Sequence, residues 1–154
     1  MTGAIEQIIP AGYCLNCRYC CRFSHDRGPW LPYLMADEKK TLGDCDVIPC
    51  APGESGKYRC RHLAPGPNTC GVYDTRPLEC RLYPFLLNAR DSRRFLSVDE
   101  NCPFVAEHGK DEAFKAYAIR LRHWLLTACG DRLRKEPAIF QVYPECRDIA
   151  ELEV

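Results

Sequence analysis

The stretch CLNCRYCCR, residues 14–22, places four cysteines within eight positions and ends its cysteine run with two of them side by side. Cys14, Cys17 and Cys20 repeat the CxxC spacing, in which two thiolates from one tight turn reach the same metal ion. The residues between them turn the backbone, and its amides can then donate hydrogen bonds to the sulfurs. Three cysteines in step therefore predict a metal site around which this part of the chain folds.

Cys21 fits this spacing less well, because the side chains of adjacent residues usually diverge. An iron–sulfur cluster sets its irons apart and accepts ligands from varied directions, and a neighbouring cysteine sometimes serves a second cluster. Cys21 therefore either reaches a second centre or remains a spare thiol. The alternative for the whole run is a vicinal disulfide, or buried thiols that pack as small apolar groups.

A second group of cysteines lies in CRHLAPGPNTCGVYDTRPLEC, which begins at Cys60, passes through Cys70 and ends at Cys80. These cysteines are too widely spaced for a stand-alone finger, so we expect folding to bring them to the first group. Four prolines between residues 43 and 71 exclude long regular elements there. A metal would join the ends of this loop and contribute on the order of 10 kcal/mol, the scale of structural zinc sites.

The 12 cysteines among 154 residues bear on the cellular compartment in which the protein works. Disulfides would need an oxidising compartment, whereas thiolates on metal suit a reducing one. The first residues lack the charged and apolar segments of an export signal. No run approaches the ~20 apolar residues of a membrane helix. We therefore expect a cytoplasmic protein without a membrane partner.

Charge excludes one class of partner. Basic and acidic residues both number 21, so the whole chain has no field that would attract nucleic acid. Locally, residues 13–30 and 57–85 carry eight basic against three acidic side chains, a net charge of +5 where the cysteines are densest. That charge would offset the roughly two negative charges of either a four-thiolate zinc site or an oxidised 4Fe-4S cluster.

These motifs resemble a known family. Residues 14–102 are similar to the CxxCxxCC cysteine-cluster family of zinc- or iron-chelating domains. The similarity lies in the pattern CxxCxxCC, the stretch WLPYLMADE, the stretch CGVYDTRPLECRLYPF and a later NCP. A similar domain occurs in flagellin lysine N-methylase-like proteins associated with an iron–sulfur cluster. The resemblance implies metal binding by eight cysteines: Cys14, Cys17, Cys20, Cys21, Cys60, Cys70, Cys80 and Cys102.

Iron and zinc remain alternatives at this point. Zinc usually takes two paired CxxC or CxxH units, and the chain shows a single run of this type, which favours an iron–sulfur cluster, 4Fe-4S, over zinc. The expected function is iron–sulfur binding with an electron-transfer or enzyme-supporting role, with a redox or modifying enzyme as protein partner. The alternatives are a zinc module that acts as a scaffold, or metal chelation and sensing.

Catalytic residues are not identified by any motif. The chain contains no GxGxxG loop, no phosphate loop and no HExxH sequence. An iron–sulfur oxidoreductase and an accessory protein to a modifying enzyme both remain compatible with the resemblance. His62, two residues after Cys60, is either a ligand or a loop residue. Arg76 either braces a turn with Asp74 or donates to a cluster sulfide.

The predicted fold class is α+β, as one domain over residues 1–154 with a metal-binding core at 14–102. Apolar residues recur at three- and four-residue steps over 110–129 and predict an amphipathic packing helix at 110–130, with Gly130 as its stop. Residues 85–98 predict a hairpin with a polar turn at 88–93. A short helix over 38–42, capped by Asp37, and an edge strand over 138–146 that is followed by a polar tail complete the expectation.

Overall fold

The computed structural model describes residues 4–17, 21–44, 46–54, 56–64 and 66–154. The chain forms two compact units. The cysteine unit is Ile9–Cys80, and the sheet unit is Arg81–Val154 together with the N-terminal residues through Ile8. Helices and small antiparallel sheets both occur, so the predicted α+β class is confirmed. A single domain over 1–154 stays a prediction.

The cysteine unit consists of short elements. They are helix α1 (Ala11–Asn16), strand β1 (Arg22–Phe23), helix α2 (Ala36–Leu42), strands β2 (Val47–Pro49), β3 (Tyr58–Cys60), β4 (Leu63–Ala64) and β5 (Thr69–Cys70), a 3-10 turn (Tyr73–Thr75) and the start of helix α3 (Leu78–Leu82). The strands pair antiparallel in the order β1-β3-β2, with β4 and β5 as a separate hairpin. Strands of two or three residues agree with the proline content, because proline cannot donate to a ladder.

Helix α2 begins two residues earlier than predicted. Asp37 lies inside the helix, so its prediction as the cap is wrong. The Glu38 carboxylate accepts the Met35 amide at 2.9 Å and so pairs a donor at the helix start. The predicted end is confirmed, since Gly43 follows the helix with a φ of 71°, a left-handed conformation that glycine adopts without strain.

The sheet unit begins with the predicted hairpin. It contains strands β6 (Phe85–Arg90) and β7 (Arg93–Val98), helices α4 (Pro103–His108), α5 (Glu112–Ala128) and α6 (Gly130–Lys135), a 3-10 turn (Pro137–Ile139) and strand β8 (Arg147–Glu151). The strands lie in the order β6-β7-β8. The hairpin turn is shorter than predicted: Asp91 and Ser92 have φ values of 50° and 62°, the positive pair of a two-residue type I′ turn.

Helix α5 is the longest helix of the described residues, and it packs on the hairpin. The Phe85 ring on β6 stacks with Phe114 at a centroid distance of 5.1 Å and lies 5.6 Å from Tyr117. Leu121 and Leu125 continue the same face and are completely buried. The predicted stop at Gly130 is wrong, because this residue opens α6 and Cys129 ends α5.

Strand β8 lies in a segment that we expected to be a polar tail. After Pro137 the structure has a 3-10 turn and a single bridge from Gln141 to Asn88, so the edge strand predicted there is wrong. The β8 strand is held by polar pairs across the sheet, in which Ser97 donates to Asp148 at 2.7 Å and Arg93 to Glu151. Such pairs stabilise a strand that has no apolar alternation. In the described residues no helix combines the length and apolar character needed to cross a bilayer.

Candidate metal centre

Cys21 is joined to Cys60 through the backbone. The carbonyl oxygen of Cys21 accepts the Cys60 amide at 3.0 Å, and the residues beside them, Arg22 and Arg59, are partners in the β1–β3 ladder. The end of the first cysteine run and the start of the second group therefore meet where β1 begins and β3 ends, although 39 positions of sequence separate them. This approach is the first step of the convergence that the spacing predicted.

The β4–β5 hairpin brings Cys70 back toward the same segment. Leu63 and Cys70 are partners in the ladder, and the Gly71 amide donates to the His62 carbonyl oxygen at 2.7 Å. A Cβ atom at position 71 would lie 3.3 Å from that oxygen. Glycine at this position therefore permits the close approach of the two strand ends.

Cys80 on α3 completes a group of four neighbouring thiols. Burial raises the pKa of the Cys80 thiol well above its ordinary value, and the negative charges of Cys21, Glu79, Cys60 and Cys70 raise it further. Burial also raises the pKa of Cys70, and Cys21 and Cys60 add to this effect. Coulomb interactions weaken with distance, so these effects on Cys70 and Cys80, together with the backbone contacts of Cys21, Cys60 and Cys70, identify the four thiols as neighbours.

The raised pKa values of Cys70 and Cys80 mean that these thiols ionise readily only beside a cation. Thiolates are the species that bind metals and act as nucleophiles, and four neighbouring thiols oppose one another's ionisation. A bound cation reverses that balance and deprotonates coordinating thiols. The group is therefore poorly suited to nucleophilic chemistry without metal and well suited in chemistry to a soft metal or an iron–sulfur cluster.

Cys14 and Cys17 are positioned by a helix and by Asn68. Cys14 lies in α1, and the Cys17 amide ends that helix by donating to the Tyr13 and Cys14 carbonyl oxygens, each at 3.2 Å. The Asn68 side-chain nitrogen donates to the carbonyl oxygens of Leu15 at 3.0 Å and Cys17 at 2.8 Å. Asn68 has a φ of 54°, a conformation that asparagine tolerates better than most residues. Sequence reasoning missed this residue, and its signal was the Gly-Pro-Asn turn before Cys70.

Two glutamates fasten the helix that carries Cys80. Glu38 accepts the Leu78 amide at 2.7 Å, in addition to the Met35 amide. Glu79 is buried, and its carboxylate accepts the Tyr33 amide. The segment before and within α2 is thus tied to the start of α3 by carboxylates that bind backbone donors. Neither glutamate was assigned a role at the site from the sequence, because the hydrogen bonds that tie α3 to the earlier segment join residues at least 40 positions apart.

Arg76 places a positive charge near Cys70. Its guanidinium carbon lies 3.7 Å from the centre of the Tyr73 ring, and its Nε donates to the Tyr73 carbonyl oxygen at 2.8 Å. The Arg76 charge lowers the pKa of Cys70, against the larger opposite effect of burial. The contact with Tyr73 was not predicted, and it holds the cation in a defined place.

The remaining predicted ligands lie elsewhere. Cys20 lies outside the described residues. Cys102 belongs to the sheet unit, precedes α4 and is 3% exposed, so its role as a ligand stays a prediction.

The cysteines outside the motif have environments of their own. Burial raises the pKa of the thiols of Cys50, Cys129 and Cys146, so each is less reactive than an ordinary cysteine at neutral pH. Cys146 accepts a hydrogen bond from Asn88 at 3.3 Å within the polar network of the sheet unit. Cys45 lies outside the described residues.

The thiol donors fit a thiolate-bound metal in their chemistry, but their side chains are not arranged around one point. In the described part of the chain, no three histidine, cysteine, aspartate or glutamate side chains already surround a point where a metal ion could sit. Structural metal sites often form only when metal and protein combine, because the binding free energy is also folding free energy. The four thiols therefore lie near one another, and a metal would draw them into its coordination geometry.

Comparison with known proteins bears on the same region. A family model described as "CxxCxxCC: Putative zinc- or iron-chelating domain" matches residues 13–103, a span that includes all eight predicted cysteine ligands. No curated protein and no solved structure matches the chain.

Proposed function

The chain belongs to the CxxCxxCC family of zinc- or iron-chelating domains, and from this premise we propose that it binds an iron–sulfur cluster that serves electron transfer or supports a partner enzyme. The chelating module is cysteine-rich, and its match covers residues 13–103. The choice of iron–sulfur over zinc rests on the run of Cys14, Cys17 and Cys20, a spacing typical of cluster ligands.

The observation that carries the proposal is the group formed by Cys21, Cys60, Cys70 and Cys80. Their thiols come from two distant parts of the chain, and the charges of Cys21 and Cys60 raise the pKa values of both Cys70 and Cys80. Four such thiols add little stability through hydrogen bonds, since each is a weak hydrogen-bonding group, and their charges repel once they ionise. Convergence of this kind is explained by a shared cation.

The proposal includes four further cysteine ligands, which rest on other observations. Cys14 and Cys17 lie on a segment that Asn68 ties to the loop before Cys70, which supports their participation. Cys20 follows from the spacing alone and Cys102 from the family resemblance alone. Eight cysteine ligands would suffice for two metal centres with four ligands each, whereas the four neighbouring thiols would suffice for one such centre.

The chain's own residues would shape the site around its metal. A bound iron–sulfur cluster would supply one-electron chemistry. Arg76, held over Tyr73, offsets negative charge at Cys70. Glu38 accepts the Leu78 amide, and buried Glu79 accepts the Tyr33 amide, so the two carboxylates fasten α3 and with it the position of Cys80.

The proposed partner is a protein, a redox or modifying enzyme of the cytoplasm. The support is that, among the described residues of the cysteine unit, two large apolar side chains remain open to solvent: Leu15 within the CxxC segment is 46% exposed and Tyr73 beside Arg76 is 37% exposed. Aromatic and apolar residues of this kind form the anchors of protein interfaces.

The test is metal analysis of the full chain purified without oxygen. Iron with matching acid-labile sulfide, and broad absorption near ~400 nm, is the expected result. Cys80→Ser and Cys17→Ser should each lose metal, whereas Cys146→Ser, a matched change at a cysteine outside the motif, should retain it. Colourless protein with stoichiometric zinc would replace the iron–sulfur proposal by the zinc module. Protein that takes up neither metal would end both.

A further inference from the structure

His62 carries a ring nitrogen that the described residues leave without a partner. Its Nε2 atom is shielded from solvent and makes no hydrogen bond to any residue that the structure describes. An unpaired buried polar atom is costly, and each one in a folded protein needs an explanation. The other three histidines, His25, His108 and His123, have exposed positions on the surface.

The backbone places His62 among predicted ligands. It follows Cys60 by two residues, and its carbonyl oxygen accepts the Gly71 amide at 2.7 Å. The next residue, Leu63, is the ladder partner of Cys70. The imidazole is therefore attached to the chain between two of the four neighbouring thiols, at a point where glycine allows the strands to approach closely.

On the premise of the proposed metal site, we infer that His62 is a further metal ligand, bound through Nε2. Neutral imidazole is the commonest metal ligand in proteins, and its unprotonated nitrogen presents one lone pair. Metal coordination would satisfy the shielded nitrogen. No three such side chains of the described residues already surround one point, so binding has to draw the ring and the thiols together.

Ligation by His62 is compatible with either metal of the family and has a consequence for each. Zinc accepts mixed sets of cysteine and histidine. Some iron–sulfur clusters take histidine in place of cysteine, and their reduction potential is then higher. In both cases a neutral ligand in place of a thiolate leaves the site with one negative charge fewer, which relieves the repulsion among Cys21, Cys60, Cys70 and Cys80.

The experiment measures nitrogen in the first shell of the metal, on the full chain loaded without oxygen. X-ray absorption detects imidazole on zinc or iron, and pulsed electron paramagnetic resonance detects it on a reduced cluster. A variant with His25→Asn, His108→Asn and His123→Asn keeps His62 as its single histidine and should retain the imidazole signal. His62→Ala should lose that signal and bind metal at least about tenfold more weakly, His62→Cys should recover affinity with sulfur alone, and His25→Ala should match the parent.

Each outcome bears on one proposal or on both. Metal bound by sulfur alone in the parent chain, or an imidazole signal that persists in His62→Ala, would overturn the role of His62 and leave the metal site standing. A chain that binds neither iron nor zinc would overturn both proposals together. If His62→Ala does not fold, the variant with a single histidine decides the matter, because it retains His62.

Discussion

The Asn68 side-chain amide donates a hydrogen bond of 2.8 Å to the carbonyl oxygen of Cys17, a residue 51 positions earlier. The same nitrogen donates to Leu15, so one amide fixes the turn between the first two cysteines of the motif. Asn68 is 9% exposed, and hydrogen bonds at so buried a position cannot be replaced by water without rearrangement. Asn68 is thus a positioning residue for the proposed metal site.

Replacement of Asn68 should weaken both folding and metal binding. Asn68→Gly keeps the left-handed backbone but removes the two hydrogen bonds, and we expect it to lower the free energy of unfolding by about 1–3 kcal/mol. Asn68→Ala adds backbone strain at a φ of 54° and should cost more. Urea denaturation of metal-loaded protein and metal content per chain give the two readouts. Equal stability of Asn68→Gly and the parent would show that the hydrogen bonds contribute nothing.

Glu38 should be important for stability despite its place in a short helix. Its two oxygens accept the amides of Met35 and Leu78, so Glu38→Ala leaves two backbone donors without their partner and should cost about 2–3 kcal/mol. Glu112→Ala, at a helix-start glutamate whose side chain is 90% exposed, is the matched control and should cost less than about 0.5 kcal/mol. Urea unfolding curves compare them, and equal losses for the two variants would contradict the assigned role of Glu38.

Arg76 should make the Cys70 thiol more reactive in metal-free protein. Because its positive charge lowers the pKa of Cys70, Arg76→Gln should raise that pKa and slow alkylation of Cys70 at mildly alkaline pH by roughly twofold to threefold. Arg76→Lys should recover part of the rate, since it keeps the charge without the planar contact with Tyr73. Peptide mass spectrometry follows Cys70 alone. Arg27→Gln, which removes a charge that is 91% exposed, should leave the rate unchanged.

Metal-free protein should lose stability in alkaline solution. The pKa values of Cys70, Cys80 and Cys129 are raised in the folded chain above the ordinary 9.0, so the unfolded chain releases these protons first. The unfolded state then binds fewer protons, and the free energy of unfolding falls as pH rises past about 9. Urea midpoints at pH 7.5, 9 and 10 measure this, and Cys129→Ala should flatten the decline. A midpoint that rises over this range would contradict the assignment.

Loaded protein should show the opposite trend up to neutral pH. Metal displaces protons from its thiol ligands, so affinity rises with pH while those thiols are still protonated. Competition with a chelator at pH 6, 7 and 8 should give increasing metal retention in the parent and the same increase in Cys146→Ser, which keeps every predicted ligand. Retention that is independent of pH would mean that the thiols of this group do not supply the ligands.

Features encoded by local patterns could be predicted from the amino-acid sequence. The spacing of Cys14, Cys17 and Cys20 indicated a metal-binding family, and the family match confirms that chemistry. The apolar steps over 110–129 indicated helix α5, observed at Glu112–Ala128, and residues 85–98 indicated the β6–β7 hairpin. Each of these depends on residues close together in the chain, where periodicity and turn chemistry act directly.

Only the tertiary structure decided which distant groups meet. The pairing of Cys21 with Cys60, the hydrogen bonds of Asn68 to the CxxC turn and those of Glu38 to Leu78 join residues 39 to 53 positions apart. Strand β8 escaped prediction because its stability comes from polar partners across the sheet rather than from alternation along its own sequence. The local sequence pattern was therefore enough to identify the cysteine donors. Their arrangement in space depends on backbone pairing between distant residues, which no local pattern predicts.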